Sequence, residues 1–175
     1  MEKDIRDSLL FEGVETKYVD EFLTSFAEAR YIKKGQALWR QNDAGNEMYL
    51  LKKGKIEVII HYNQPVEEDV VIATIEAGAV IGEICVFGEQ VRSATARAVV
   101  DLELLMIEGD WFRRKIQERD IGALLISYNI ARMLTKRLRM ANELIRKLQA
   151  IAEKPAIKSE LEHYRQRFSH DSLFN

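Results

Sequence analysis

Apolar residues along the chain change their spacing twice, dividing it into three textures. From Asp4 to about Glu28, Ile5, Leu9, Leu10, Phe11, Val19, Phe22, Leu23 and Phe26 recur at helical spacing, broken near Gly13. That pattern predicts two short helices. From Arg30 to Ile107 the periodicity is lost, and short β-type runs take over: YLLKKGKIEVII, VVIATIEAGAV and ATARAVVDLELLMI. Turn residues separate them at Lys34-Gly35, Asn42 to Gly45, Lys53-Gly54, Asn63 to Pro65, Ala77-Gly78 and Gly88 to Gln90, about as an antiparallel sandwich or jelly roll requires. Beyond Gly109, WFRRKIQERD predicts a short helix with Asp110 as its N-cap. A long helix follows over about 121–152, in which Leu124, Ser127, Ala131, Leu134, Leu138, Ala141, Ile145, Leu148 and Ala152 step by threes and fours. This heptad seam predicts a parallel two-stranded coiled coil, and hence a homodimer through that helix. Pro155 is expected to stop the helix, because its ring removes a donor and restricts the residue before it.

The expected fold class is therefore α+β, an antiparallel β-roll of the jelly-roll or double-stranded β-helix type with an N-terminal helical bundle and a long C-terminal helix. The bundle is expected over about 1–30, the roll over about 30–107 and the C-terminal helices over about 110–152. Together they form one domain, 1–152, followed by a short tail, 153–175.

Composition narrows the function classes. With 175 residues, 47% hydrophobic and 31% charged, the chain has the balance of a soluble globular protein with one core and an appendage. A net charge of −2 lacks the basic footprint of non-specific nucleic-acid binding. The basic run Arg132, Lys136, Arg137, Arg139, Arg146 and Lys147 reads mostly as a solvated helix face. Cys85 is the sole cysteine, which excludes an internal disulfide and four-cysteine metal sites within one chain. MEKDIRDSLL lacks the apolar run of a signal peptide, and no segment approaches about eighteen uninterrupted apolar residues. The expectation is a cytoplasmic protein that does not span a membrane. A β-roll can also house a metal enzyme of the cupin type, but His61 stands alone beside a turn, and His163 and His170 lie in the C-terminal tail. No catalytic residue, metal or cofactor is expected, and the protein is not expected to be an enzyme.

The candidate chemistry lies between Ile81 and Ala98, IGEICVFGEQVRSATARA. Gly82 permits close approach to the main chain, and Glu83 supplies two acceptor oxygens. A short helical turn over 83–87 would aim the Ile84 and Cys85 N–H groups at an anion. Arg92 adds a planar cation able to hold a phosphate through two hydrogen bonds, and Ser93 and Ala94 add a hydroxyl and unobstructed N–H donors. Glu83 would repel a phosphate, so its presence makes sense for a ligand that offers a hydroxyl beside its anion, as a ribose 2′-OH does. The alternative is that Glu83 and Arg92 pair with each other across a turn.

Gly82, Glu83, Arg92, Ser93, Ala94 and Thr95 resemble the phosphate-binding cassette of cyclic-nucleotide-binding domains, the family of the catabolite activator protein, protein kinase A regulatory subunits and nucleotide-gated channels. The resemblance covers roughly residues 5 to 150. It implies that Glu83 binds the ribose 2′-OH, that Arg92 binds the cyclic phosphate, and that N–H groups near Ile84, Cys85 and Ala94 complete the cradle. By position relative to the family's landmarks, Val58, Ile72 and Ile84 are candidates for an apolar wall around sugar and base, with core packing as the equal alternative. Phe11, Gly13 and Val14 would belong to the bundle that moves on ligand binding, with simple core packing as the equal alternative. In this family the long helix pairs two subunits and covers the purine, so Arg139 or Asn142 would reach the base. Ser93 and Asn142 together point to cAMP over cGMP. Ala79 departs from an acidic residue often seen there, and the loop from Phe87 to Val91 is slightly short. The roughly twenty residues after the long helix cannot make the DNA-binding domain of the family's transcription factors, and the effector stays unnamed. The function implied is a non-catalytic cyclic-nucleotide sensor. The alternatives are a dimerisation or protein-interaction module with a vestigial site, or a sensor of another anion or of haem; Cys85 within the cassette and the absence of a barrel histidine by pattern disfavour haem.

Overall fold

Short strands alternating with tight turns build two four-stranded antiparallel sheets, ordered β1-β8-β3-β6 and β2-β7-β4-β5. The structure, a computed structural model, describes residues 5–26, 28–62 and 68–151. The strands are β1 (Glu28–Ile32), β2 (Ala37–Trp39), β3 (Glu47–Lys53), β4 (Lys55–Tyr62), β5 (Glu68–Glu76), β6 (Val80–Ile81), β7 (Thr95–Ala98) and β8 (Leu102–Glu108). The helices are α1 (Thr16–Phe26), α2 (Glu83–Phe87), α3 (Gly109–Gln117) and α4 (Ile121–Ile151). The described residues up to 131 form one compact unit and those from 132 a second. The expected turn at Asn63 to Pro65, seam residue Ala152, Pro155 and the tail lie outside the described residues.

The expected β-roll is present. Its inner faces bury Tyr49, Leu51, Ile81, Leu102 and Leu104 from one sheet against Ile56, Ala96 and Ala98 from the other. β3 is buried on both faces from Met48 to Leu51, because α2 packs against the same strand from outside the roll. Consecutive strands β3 and β4 lie in different sheets, and the chain passes between them at Gly54, with φ 109°. A side chain there would also strike Asp101 O at 2.7 Å and Leu102 Cδ2 at 2.6 Å, so the corner requires glycine.

The N-terminal segment differs from the expected pair of helices. It makes two 3₁₀ turns, Ile5–Asp7 and Leu9–Phe11, and then α1. Ser8 causes the break: its hydroxyl accepts from the Leu10 N–H at 3.2 Å and donates to Gly78 O at 2.5 Å, pulling the chain onto the β5–β6 turn. Gly13, with φ 73°, then reverses the chain toward α1.

The start of α3 also differs. Its N-cap is Glu108, not Asp110. Asn46 O accepts from the Gly109 N–H at 2.7 Å and Asn46 Nδ2 donates to Asp110 Oδ2 at 2.7 Å, so tertiary contacts begin the helix earlier and draw Asp110 into its first turn.

Aromatic rings join the helices of the first unit. Phe87 of α2 meets Phe112 of α3 edge-on at 6.0 Å, Phe112 meets Phe22 of α1 at 6.1 Å, and Phe22 meets Phe11 at 5.9 Å. The first turns of α4 close this cluster through buried Ala123, Ile126, Asn129 and Ile130. Asn129 Nδ2 donates to Leu10 O and Glu12 O, both at 2.9 Å, fastening α4 to the second 3₁₀ turn. Asn129→Ala removes both bonds from a side chain that is 3% exposed, and it should lower the unfolding free energy by about 1–3 kcal/mol. Urea titration checks this, and unchanged stability would show that the two carbonyls do not depend on the amide.

Candidate functional site

The cassette begins where β6 ends. Gly82 takes φ 79° and caps α2, a single turn carrying Glu83, Ile84 and Cys85. Glu83 is buried at 3% exposure, and Cys85 is buried with its thiol donating to Val91 O at 3.3 Å. The Cys85 N–H turns back onto Gly82 O at 3.3 Å, and Ile84 is exposed. After α2 the chain returns through Val91 and Arg92, and the loop from Asn42 to Gly45 is laced to it. Asn42 N–H donates to Arg92 O, Arg92 N–H to Asp43 O and Gly45 N–H to Gln90 O, at 2.9 to 3.1 Å. Asn42 itself is left-handed, with φ 70°. The small residues following Arg92 complete the cassette: Ser93 is exposed, Ala94 is buried and Ala94 O accepts from Trp39 Nε1 at 2.9 Å.

Arg92 lies inward at 1% exposure. Its hydrogen-bond partner is Glu47 of β3, which neither a bare phosphate cradle nor a Glu83–Arg92 pair predicts. Nη2 donates to Glu47 Oε1 at 2.5 Å and Nη1 to Glu47 O at 2.8 Å. The Trp39 ring covers the guanidinium at 4.0 Å. A charge-assisted pair and a cation–π contact together offset much of the cost of taking this cation out of water. Two glycines make room for it: a Cβ on Gly82 would sit 2.6 Å from Nη1, and one on Gly45 only 2.2 Å from Nε. The close approach that Gly82 permits is thus, in this structure, that of the arginine. Arg92 Nε is buried without a hydrogen-bond partner.

Glu47 is held from both sides. Its Oε2 accepts from the Asn46 N–H at 2.9 Å and its Oε1 accepts from Tyr49 Oη at 3.2 Å. Burial pushes the Glu47 carboxyl up, but the Asn46 N–H, the Arg92 charge and the Tyr49 hydroxyl outweigh that and leave it below the usual carboxylate range. Burial, reinforced by the charge and acceptor of Glu47, pushes Tyr49 up to about 12, so at neutral pH it remains a neutral donor.

One residue further back, Asn46 ties this cluster to α3. Arg113 Nη2 donates to Asn46 Oδ1 at 2.5 Å, and Nη1 donates to Val86 O, in α2, at 2.9 Å. Arg113 therefore bridges the cassette helix, the loop beside Arg92 and α3.

The other expected ligand residues are distributed as follows. Val58 is half-buried on β4. Opposite it, β5 carries a bulge: Val58 pairs with Ala73 and Ile59 with Val71, leaving Ile72 as the extra residue, 52% exposed. Arg139 and Asn142 belong to the second unit, where with Glu143, Ile145 and Arg146 they line an open depression on α4. Sequence reasoning missed Trp39, Gly45, Glu47 and Tyr49. An acidic residue just beyond the Asn42–Gly45 turn was the available signal, but nothing local pointed it at a residue 45 positions away. Among the described residues no helix is long and apolar enough to cross a membrane.

Comparison with known proteins agrees with this geometry. Residues 29–119 match the family model described as Cyclic nucleotide-binding domain. The Cyclic AMP receptor protein of Thermus thermophilus is 30% identical over 138 residues, covering 79% of this chain and 61% of that protein. The cAMP-dependent protein kinase regulatory subunit of Schizosaccharomyces pombe is 29% identical over 98 residues, 56% of this chain but 22% of that subunit. The crystal structure of Thermus thermophilus Catabolite Activator Protein superimposes with a TM-score of 0.71 at 30% identity, covering 81% of this chain and 63% of that one. The chain thus spans less than two thirds of the length of these relatives. The matched segment runs from β1 through α3 and contains the cassette and the Glu47–Arg92 pair: the chain belongs to the cyclic nucleotide-binding domain family.

Proposed function

We propose that this chain is a cyclic-nucleotide sensor, with cAMP its preferred ligand, that acts without catalysis by coupling ligand binding to its helices and to a homodimer formed through α4. The observation that carries this reading is the cassette itself, in which Glu83, opening the glycine-capped α2, and Arg92, in the segment that follows it, are both buried. Glu83 would take the ribose 2′-OH and Arg92 the cyclic phosphate, with N–H groups near Ile84, Cys85 and Ala94 around it. Relatives named for cAMP support the nucleotide class. A relative named Lysophospholipase nte1, of which this chain spans 7%, is an enzyme; the other relatives named here carry receptor and regulatory names. Cytoplasmic location belongs to the same reading.

One observation favours a second reading. The pair of buried Arg92 with half-buried Glu47 would serve equally as a structural ion pair in a dimerisation module whose ligand site is vestigial. Arg92→Ala separates the two. On the sensor reading, loss of the phosphate's charged partner should weaken cAMP binding by about 2–5 kcal/mol, the range for truncating one member of a buried charge pair. Isothermal titration measures this, with circular dichroism confirming the fold. Equal affinity in the variant would leave Arg92 a structural role alone.

The dimer rests on α4, where Leu138, Leu144, Ile145 and Leu148 are between 46% and 62% exposed. A stripe of this length implies a partner surface. Leu138→Glu with Ile145→Glu should convert a dimer to monomer by light scattering; a wild type that is already monomeric at tens of micromolar, with or without ligand, would contradict the assignment.

Base selectivity rests on Ser93 and Asn142. An Asn142 amide can accept from the adenine amino group while donating to a ring nitrogen. cAMP should bind more tightly than cGMP by about 1–3 kcal/mol, and Asn142→Ala should narrow the gap in competition against a fluorescent analogue. Tighter cGMP binding, or a gap untouched by the variant, would place base reading elsewhere.

A further inference from the structure

We propose that Glu47 is a positioning residue of the anion site: it grips Arg92 by the two terminal nitrogens of the guanidinium and leaves the edge bearing Nε for the ligand's phosphate. This rests on the cyclic-nucleotide reading above and extends it to a residue outside the cassette.

A guanidinium has five N–H donors in one plane, and an anion is held best by two of them along one edge. In this structure Nη1 and Nη2 both donate to the same residue, Nη1 to the Glu47 main-chain oxygen and Nη2 to its carboxylate. Two bonds from one residue fix rotation about the guanidinium axis, and the Trp39 ring at 4.0 Å fixes the plane. The remaining donor, Nε, is buried and unpartnered. An unmet buried donor is destabilising and requires an explanation. Glu47 does not supply the missing acceptor: its Oε2 is turned to the Asn46 N–H and its Oε1 to Tyr49 and Nη2. Gly45 offers no side chain for it, and even a methyl there would lie 2.2 Å from Nε. A phosphate oxygen arriving at Nε would satisfy this donor without displacing Glu47, after the Gly45 main chain parts from the guanidinium to admit it. Glu47 is therefore an orienting partner of Arg92 and not a competitor for it, and the two roles make opposite predictions.

The test is competition of cAMP against a fluorescent analogue in wild type, Glu47→Ala, Glu47→Gln, Arg92→Ala and the Glu47→Ala/Arg92→Ala double variant, each confirmed folded by circular dichroism. Glu47→Ala should weaken cAMP at least tenfold. Glu47→Gln, which keeps an acceptor for Nη2, should recover part of that loss, and Glu47→Ala should cost no further affinity once Arg92 is alanine. A purely structural role would lower the melting temperature without this dependence on Arg92. Wild-type or tighter binding in Glu47→Ala, or the same loss in the Arg92→Ala background, would overturn the proposal while leaving the sensor reading intact. Absence of cyclic-nucleotide binding by wild type would instead bring down the sensor reading, and this proposal with it.

Discussion

A cation enclosed inside a β-roll constrains everything around it. Arg92 needs a counter-charge, a flat surface and unobstructed space, and the residues supplying these come from separate parts of the chain. Glu47 gives the charge from the start of β3, Trp39 gives the surface from β2, and Gly45 and Gly82 give the space from two loops. Removing Glu47 leaves the others arranged around a cation that costs several kcal/mol to bury unpaired. The same arrangement accounts for details of no evident purpose in isolation. The hydroxyl of Tyr49 is spent on Glu47, and the left-handed turn at Asn42 brings the loop back to bond the Arg92 main chain.

This centre is continuous with the helices of the first unit. Gly45, Asn46 and Glu47 are consecutive: the first lies against Arg92, the second holds Gly109, Asp110 and Arg113, and the third pairs with Arg92. Arg113 reaches from α3 to Val86 in the cassette helix. Aromatic contacts then run from Phe87 through Phe112 and Phe22 to Phe11, and Asn129 joins that end to α4. A displacement at the guanidinium thus has a contiguous packed and hydrogen-bonded route to α3, α1 and the first turns of α4.

Features that depend on neighbours in sequence were legible from the sequence. The turns at Lys34-Gly35, Lys53-Gly54 and Ala77-Gly78, the cassette turn after Gly82 and the long amphipathic helix all follow from local residue type and spacing, and each is present. Features set by distant partners were not. Asp110 looked like a cap because aspartate favours that position, yet Asn46 and Arg113 engage its side chain and the helix begins at Gly109. Ser8 split the first helix by reaching Gly78, 70 residues away. The bulge that leaves Ile72 as an extra residue opposite Val58 and Ile59 was not legible either, since periodicity does not reveal a one-residue slip. Arg92 stands out in the sequence by its place in the cassette pattern, whereas its partner Glu47 reads locally as an ordinary charged residue at a strand start.

The most direct measurement of the central claim is a crystal structure of this chain grown with saturating cAMP. The account predicts the cyclic phosphate within hydrogen-bonding distance of Arg92 Nε, the ribose 2′-OH on Glu83, and Glu47 still paired with the terminal nitrogens of Arg92. Nucleotide bound away from the cassette, or a cassette occupied with Arg92 making no contact to phosphate, would contradict it.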